Sequence, residues 1–194
     1  MKTLILNGSP RKNGDTATLI NAFTKQLQGE YRIIECYSPN ISPCMDCHCC
    51  REKQSCPIHD EMQEIYDYLS ECDNLILASP VYYEELSSGM LKVASRFQIF
   101  SSAMIFRHEK LPLHIKRGGV LLAQGGSGGA VRAYETARLI FQSLGVTEIY
   151  PLICSEYTDR LSAANDEKAL RETAKLTAWL NTFDHLQQTV YETP

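Results

Sequence analysis

Two rhythms of apolar residues alternate along the chain. Lys2 to Leu6 is a short apolar run closed by turn residues from Asn7 onward, which predicts a buried strand. From Thr16 the spacing changes, and Leu19, Ile20, Phe23 and Leu27 recur at helical intervals. Tyr31 to Tyr37 alternates loosely and predicts a second strand. A cysteine-rich loop runs from Pro43 to Pro57. Asp60 then caps a helix, with Gln63 in the capping-box position and Met62, Ile65, Tyr66 and Leu69 as its buried stripe. Asn74 to Ala78 predicts a third, central strand that ends in Ser79-Pro-Val-Tyr-Tyr83. A helix is expected over Ser87 to Ser101, with Met90, Val93, Ala94 and Phe97 inward. Arg107 to Arg117, with Pro112 and several basic residues, is expected to be loop. Gly119 to Ala123 predicts strand four, ending in a glycine-rich turn over 124–129. Ala133, Ala137, Ile140, Phe141 and Leu144 mark a helix stopped by Gly145, Val146 to Ile153 a fifth strand. The last helix starts at Asn165 or Asp166 and buries Ala169, Thr173, Leu176 and Leu180. After Asp184 the residues are polar, so the expected organisation is one domain over 1–183 and a polar tail over 184–194.

Strands that alternate with helices and are themselves apolar predict a parallel α/β sheet covered on both faces. Five strands suit the order 2-1-3-4-5, in which ligands bind beyond the carboxyl ends of the strands near the switch point. That rule points to loops 8–16, 79–84 and 124–129, which follow strands one, three and four and carry the chemistry-rich residues.

Length and composition narrow the function classes. With 194 residues and 44% hydrophobic content, the chain can build a proper core. A net charge of −4, with no basic run longer than two residues, argues against a nucleic-acid partner. No stretch approaches the roughly eighteen apolar residues of a membrane span, and a first strand at Lys2 leaves no room for a signal peptide. Five of the eight cysteines crowd between Cys44 and Cys56. Without a secretion signal, this clustering is expected in a reducing cytoplasm, where it points to metal or redox chemistry.

Between the first strand and its helix lies a loop of small, polar and basic residues. A helix N-terminus offers N–H groups without internal acceptors and the positive end of the helix dipole. Gly8 and Gly14 let the backbone curl near an anion, Ser9, Thr16 and Thr18 can donate hydroxyls, and Arg11 and Lys12 add charge. The P-loop pattern fails, because five residues separate Gly8 from Gly14 and Asp15 stands where Lys is required; no G-x-G-x-x-G is present either. An ordinary strand-to-helix turn, with Asp15 or Thr16 as N-cap, remains the alternative.

Asn7-Gly-Ser-Pro-Arg-x-x-Gly-x-Thr16 resembles the FMN phosphate loop of the NAD(P)H-dependent FMN reductase family, in the flavodoxin-like superfamily. The usual loop has Asn before the Thr, and Asp15 places a negative charge there. The resemblance implies cofactor-binding positions at Ser9, Arg11, Asn13, Asp15, Thr16 and Ala17. Ser79-Pro-Val-Tyr-Tyr-Glu84 is similar to the family's second flavin loop, implying contacts from Pro80, Val81, Tyr82 and Tyr83, with the tyrosines offering flat surfaces to the ring. In the turn after strand four, Gly125, Gly126 and Ser127 would let main chain approach the flavin. Ser88 to Arg96 resembles a family segment that often reads x-x-x-L-K-x-x-x-D-R, with Ser95 in place of the acid; Lys92 and Arg96 are read as structural or interface residues.

Cys44-x-x-Cys47-x-x-Cys50-x5-Cys56-Pro57 is close to the ferredoxin run, with two extra residues in the last gap. It also resembles the iron–sulfur flavoprotein branch of the same family, whose compact motif holds a [4Fe–4S] cluster. Cys49 could replace Cys50 in another frame, and a zinc site, a regulatory thiol pair or reduced surface cysteines are alternatives. His48 is expected to be exposed, and Cys36, Cys72 and Cys154 to be small core residues.

The expected activity is an FMN-dependent oxidoreductase that passes electrons from NAD(P)H through FMN to an acceptor, with no side-chain acid or base needed for hydride transfer. The resemblance implies a homodimer or homotetramer. A non-enzymatic electron carrier and a thiol or metal sensor are the alternatives.

Overall fold

The first four strands expected from the apolar runs form, the fifth forms in two pieces, and all join one sheet. The computed structural model describes residues 1–190, with side chains through Thr182. Strands β1 (Lys2–Asn7), β2 (Glu30–Glu35), β3 (Asn74–Tyr82) and β5 (Arg117–Ala123) lie parallel, with β1 between β2 and β3 and β5 beyond β3. The fifth position is shared by β6 (Glu148–Ile149) and β7 (Ile153–Ser155), both parallel to β5. The single strand expected over 146–153 is therefore split, and Pro151, which has no N–H to donate, lies in the gap. A further strand, β4 (Glu85–Leu86), folds back antiparallel on the end of β3. The sheet has seven strands, but across it the order is the 2-1-3-4-5 anticipated from sequence.

The strands are apolar throughout because both faces are covered. Leu4, Leu6, Leu75, Leu77, Val120 and Leu122 face one core, which is closed by α2 (Met62–Glu71), α3 (Ser88–Ser95) and α5 (Ala130–Ser143). The intervening Ile5, Ile76 and Leu121 face the other, against α1 (Asp15–Thr24) and α6 (Glu167–Val190). Buried Ala169, Thr173, Leu176 and Leu180 are the stripe expected of the last helix. The backbone of α6 continues beyond Asp184, where the polar tail was expected to begin; residues 191–194 lie outside the described residues.

Two helices differ from expectation. The segment 87–101 is not one helix: α3 ends at Ser95 and α4 (Gln98–Ile105) starts afresh, because the N–H groups of Arg96 and Phe97 turn to the carbonyls of Val93 and Ala94. At α2 the capping box does not close. Gln63 Nε2 donates to the Ile58 carbonyl, while the Asp60 carboxylate accepts from Met62 N–H and from groups outside the helix. Tyr68, rather than the half-buried Tyr66, completes the buried stripe of α2. Gly145 follows α5 at φ 76°, as its place at the helix stop predicts.

Candidate functional site

Parallel pairing places the ends of β1, β3 and β5 along one edge. Asn7 pairs with Ala78, and Pro80 with Ala123, so the loops that follow open side by side. Between them lies a cleft lined by Ser9, Arg11, Gly14, Asp15, Thr16, Pro80, Val81, Tyr82, Ala123, Gln124, Gly125, Thr158 and Asp159. The N-terminus of α1 opens onto it, with Gly14 as N-cap and no side-chain cap, so its first N–H groups stay free for a ligand. Gly14, not Asp15 or Thr16, is thus the cap. One Asp15 carboxylate oxygen accepts from Ser162 Oγ at 3.1 Å and from Ala163 N–H at 2.8 Å, which ties the charge to a neighbouring turn.

Hydrogen bonds hold these loops in shape. Ser9 N–H donates to Asn7 Oδ1 at 3.0 Å, and Asn7 Nδ2 donates to Glu35 at 2.8 Å. Ser87 is fully buried; its Oγ donates to the Gly8 carbonyl at 2.6 Å and accepts from Met90 N–H, capping α3. The Ser87 N–H donates to Ser79 Oγ, which in turn donates to the Pro80 carbonyl. One serine therefore links two of the loops to a helix. Gly8 is needed for this contact: a Cβ there would stand 2.9 Å from Ser87 Oγ and 3.2 Å from the Ala78 carbonyl. Thr18 Oγ1, expected near the ligand, donates to the Gly14 carbonyl one turn back. On the far wall, Gln124 Nε2 donates to Glu156 at 2.8 Å and Thr158 N–H to the Gln124 carbonyl. A Cβ on Gly125 would meet the Asp159 carboxylate at 2.3 Å, so the absence of a side chain lets that carboxylate lie against the turn.

The cysteine loop forms a second cavity. Cys44, Cys47, Cys50 and Cys56 all line it, together with Arg96, His48 and the apolar Met45, Ile58, Ile99 and Phe106; Cys49 does not. Of the two possible frames, the structure turns the one with Cys50 inward. Among the described residues no three His, Cys, Asp or Glu side chains converge closely enough to hold a single ion. The four thiols surround a space instead. Asp46 and His48 take positive φ values of 49° and 63°, which wrap the backbone around it. Half-exposed His48 lies 3.1 Å from Asp46. Hydrogen bonds from the Cys49 N–H and thiol hold the Cys47 thiol below its ordinary value.

Side chains from α3, from α4 and from the turn after it support the loop. Cys44 N–H donates to Ser95 Oγ at 3.0 Å, Cys50 Sγ and Ser102 Oγ share a hydrogen bond, and Arg107 donates to the Cys50 carbonyl. Ser95 is thus no idle replacement for an acid. The carboxylate partner of Arg96 is Asp60, 2.8 Å away, its side chain 10% exposed against 1% for the arginine. Burial alone would raise the Asp60 carboxyl, but hydrogen bonds from Arg96, Ser42 and Met62 outweigh it and hold the group below its ordinary value.

A sequence model of the NADPH-dependent FMN reductase family matches residues 1–156. The chain belongs to this family. An iron–sulfur flavoprotein of Archaeoglobus fulgidus is 32% identical over 152 residues, covering 77% of this chain and 66% of that protein. Another, from Methanocaldococcus jannaschii, is 34% identical over 101 residues, 50% of this chain and 51% of its own length. The chain spans about half to two thirds of the length of these relatives. Among solved structures, the NAD(P)H:quinone oxidoreductase of Methanothermobacter marburgensis superposes with a TM-score of 0.69 at 14% identity, covering 93% of this chain and 97% of that one. An FMN-dependent NADH-azoreductase of Bacillus anthracis, solved with FMN, gives 0.66 at 16% identity, covering 93% and 99%. These likenesses establish the flavodoxin-like fold.

For this FMN reductase family member, the cleft gathers Ser9, Arg11, Asp15, Thr16, Pro80, Val81, Tyr82 and Gly125 from the positions marked in the sequence. Asn13, Ala17, Tyr83, Gly126 and Ser127 lie outside its lining. Tyr83 is fully exposed, and with Glu84 it forms a two-residue turn in which both have positive φ, 52° and 64°. Thr158 and Asp159 were not anticipated. They follow β7, and only the strapping of 156–158 onto the Gln124 turn brings them to the cleft.

Proposed function

We propose that this FMN reductase family member holds FMN in the cleft at the ends of β1, β3 and β5 and oxidises NAD(P)H for a small-molecule or protein acceptor. The observation that carries the reading is the convergence of four loops on an uncapped helix N-terminus. In this reading the free N–H groups of α1, Arg11 and the nearly buried hydroxyls of Ser9 and Thr16 take the phosphate. Pro80, Val81 and Tyr82 line one side of the ring, and the Gly125 backbone approaches from the other. Bound FMN would supply the electron-transfer chemistry, while the protein orients it and limits access to it. A homodimer or homotetramer belongs to the same proposal: Tyr82 is half-exposed and Tyr83 wholly so, which leaves the mouth of the cleft for a second copy to cover.

The finer reading places an iron–sulfur cluster among Cys44, Cys47, Cys50 and Cys56. It is supported by four thiols lining one cavity without meeting at a point, and by relatives named iron–sulfur flavoproteins. The donor set suits such a group, since thiolates are its usual ligands. A one-electron protein acceptor then becomes the preferred partner.

The test is an absorption spectrum of protein purified without oxygen, with iron and acid-labile sulfide assayed on the same sample. Flavin bands with about four irons per chain are expected. Flavin without iron would remove the finer reading alone. Replacing Ser9 and Thr16 together by Val should abolish flavin retention, and unchanged flavin in that variant would sink the phosphate-loop assignment.

A further inference from the structure

Arg96 occupies a place that no role in NAD(P)H oxidation explains. Its side chain is 1% exposed, and it lines the cysteine cavity. The four N–H bonds at the guanidinium tips each have an acceptor. Nη1 donates to the Ser42 carbonyl at 2.9 Å and to Asp60 Oδ2 at 2.8 Å, and Nη2 donates to the Ile58 carbonyl at 3.1 Å and to Asp60 Oδ1 at 3.3 Å. Ser42 and Ile58 flank the cysteine loop on either side, so one planar group ties its two ends together. Asp60 adds a strand to the knot by accepting from Ser42 N–H at 2.9 Å. The Tyr66 hydroxyl donates to the Arg96 carbonyl and fixes the backbone behind. One donor remains. Nε–H is buried and without a partner among the described residues.

A buried N–H left unpaired is costly, and native structures rarely leave one so unless something else supplies the acceptor. Here the orphan belongs to a cation that borders a cavity lined by four thiols. Arg96 lines that cavity and its partner Asp60 does not.

We propose that Arg96 is a positioning residue with two tasks: it clasps the cysteine loop in its ligand-holding shape before any metal arrives, and it offers Nε–H to the anionic group that the thiolates hold. The second task rests on the cluster reading above; the first does not. Preorganisation by the clasp favours metal capture, because the loop does not have to be ordered at that moment. A cation and a hydrogen-bond donor beside a thiolate-bound cluster favour its reduced form, which carries one more negative charge. The segment similar to L-K-x-x-x-D-R has thereby exchanged its adjacent acid for Ser95, which holds Cys44, and recruits Asp60 from the far side of the loop.

The test compares the full chain with R96Q and R96K, each checked for an unchanged far-ultraviolet circular dichroism spectrum. In chelator-treated, metal-free protein, trypsin should cut after Arg51 and Lys53 at least about tenfold faster in R96Q than in the parent, with R96K between them. Equal rates in R96Q and parent would overturn the clasp. In protein isolated with its iron, the midpoint potential should fall in R96Q and fall less in R96K, which keeps the charge. An unmoved potential in R96Q would overturn the donor role, and so would a parent protein without iron. That last result also removes the cluster reading, yet leaves the proteolysis to decide the clasp. Should R96Q fail to fold, R96K decides both: its proteolysis and potential must move in the stated directions.

Discussion

Cys36, Cys72 and Cys154 show how burial sets chemistry residue by residue. Desolvation pushes each thiol up to about 12, reinforced by Glu35 at the first, Asp73 at the second and Glu156 with Asp166 at the third. At pH 8 a thiol with that value is ionised in only about one part in ten thousand, and the thiolate is the reactive form. The cysteines of the loop are half-buried or exposed. Iodoacetamide added to metal-free native protein at pH 8 should therefore label the loop cysteines first, leaving the buried Cys36 and Cys72 until denaturant is added. Peptide mapping that found Cys36 labelled as fast as Cys47 would contradict the burial argument. Burial was legible in the sequence for Cys36 and Cys72, which lie in or beside apolar runs; Cys154, expected in the core as well, is only half-buried at its edge. The choice of Cys50 over Cys49 was not legible: adjacent residues differ only in the direction the backbone turns them, and that follows from positive φ at Asp46 and His48.

At the scale of elements, α3 joins the two sites. Its N-cap, Ser87, is tied to the Gly8 and Ser79 loops, and at its C-terminal end Ser95 and Arg96 grip the cysteine loop. Eight residues at about 1.5 Å rise make a strut of about 12 Å between these anchor groups. Ser87→Ala removes the cap and strands the Gly8 carbonyl and Met90 N–H. The expected cost is about 1–2 kcal/mol in a denaturant titration. Weaker FMN retention should accompany it, read as flavin released on dilution; a variant as stable and as flavin-replete as the parent would remove Ser87 from the network. The helical spacing that predicted this element ran on to Ser101. It could not show the break at Arg96, because the apolar stripe continues through Phe97 into α4 and only the 3₁₀ turn redirects the backbone.

For the whole molecule, the Asp60–Arg96 pair connects the cysteine loop, α2 and α3, so its loss is felt as global stability. The Asp60 carboxyl is depressed in the folded state, with burial opposing and the hydrogen bonds from Arg96, Ser42 and Met62 prevailing. A depressed carboxyl contributes stability that is fully present above its unfolded value, near pH 4, and disappears as pH falls through the folded value. Asp60→Asn should therefore cost about 3–5 kcal/mol at pH 7, because it leaves a buried guanidinium without its counter-charge. The gap between variant and parent should narrow below about pH 4. Denaturant titrations at pH 7 and pH 3 giving the same gap would show that the pair does not control acid stability. Among the described residues no helix is long and apolar enough to cross a membrane.

The order of strands and helices, the doubly covered sheet and the three loops at its carboxyl edge follow from the sequence, because the period of apolar residues and the handedness of parallel connections leave few ways to bury them. The residues that depend on contacts between distant segments do not. Asp159 reaches the cleft through a strap between 156–158 and Gln124, and Asp60 finds Arg96 across 36 positions. Gly8 is required by Ser87, which is 79 positions away. Local pattern determines which elements form. Which side chains meet is decided by how those elements pack, since a hydrogen bond or an ion pair depends on distance in space and not along the chain.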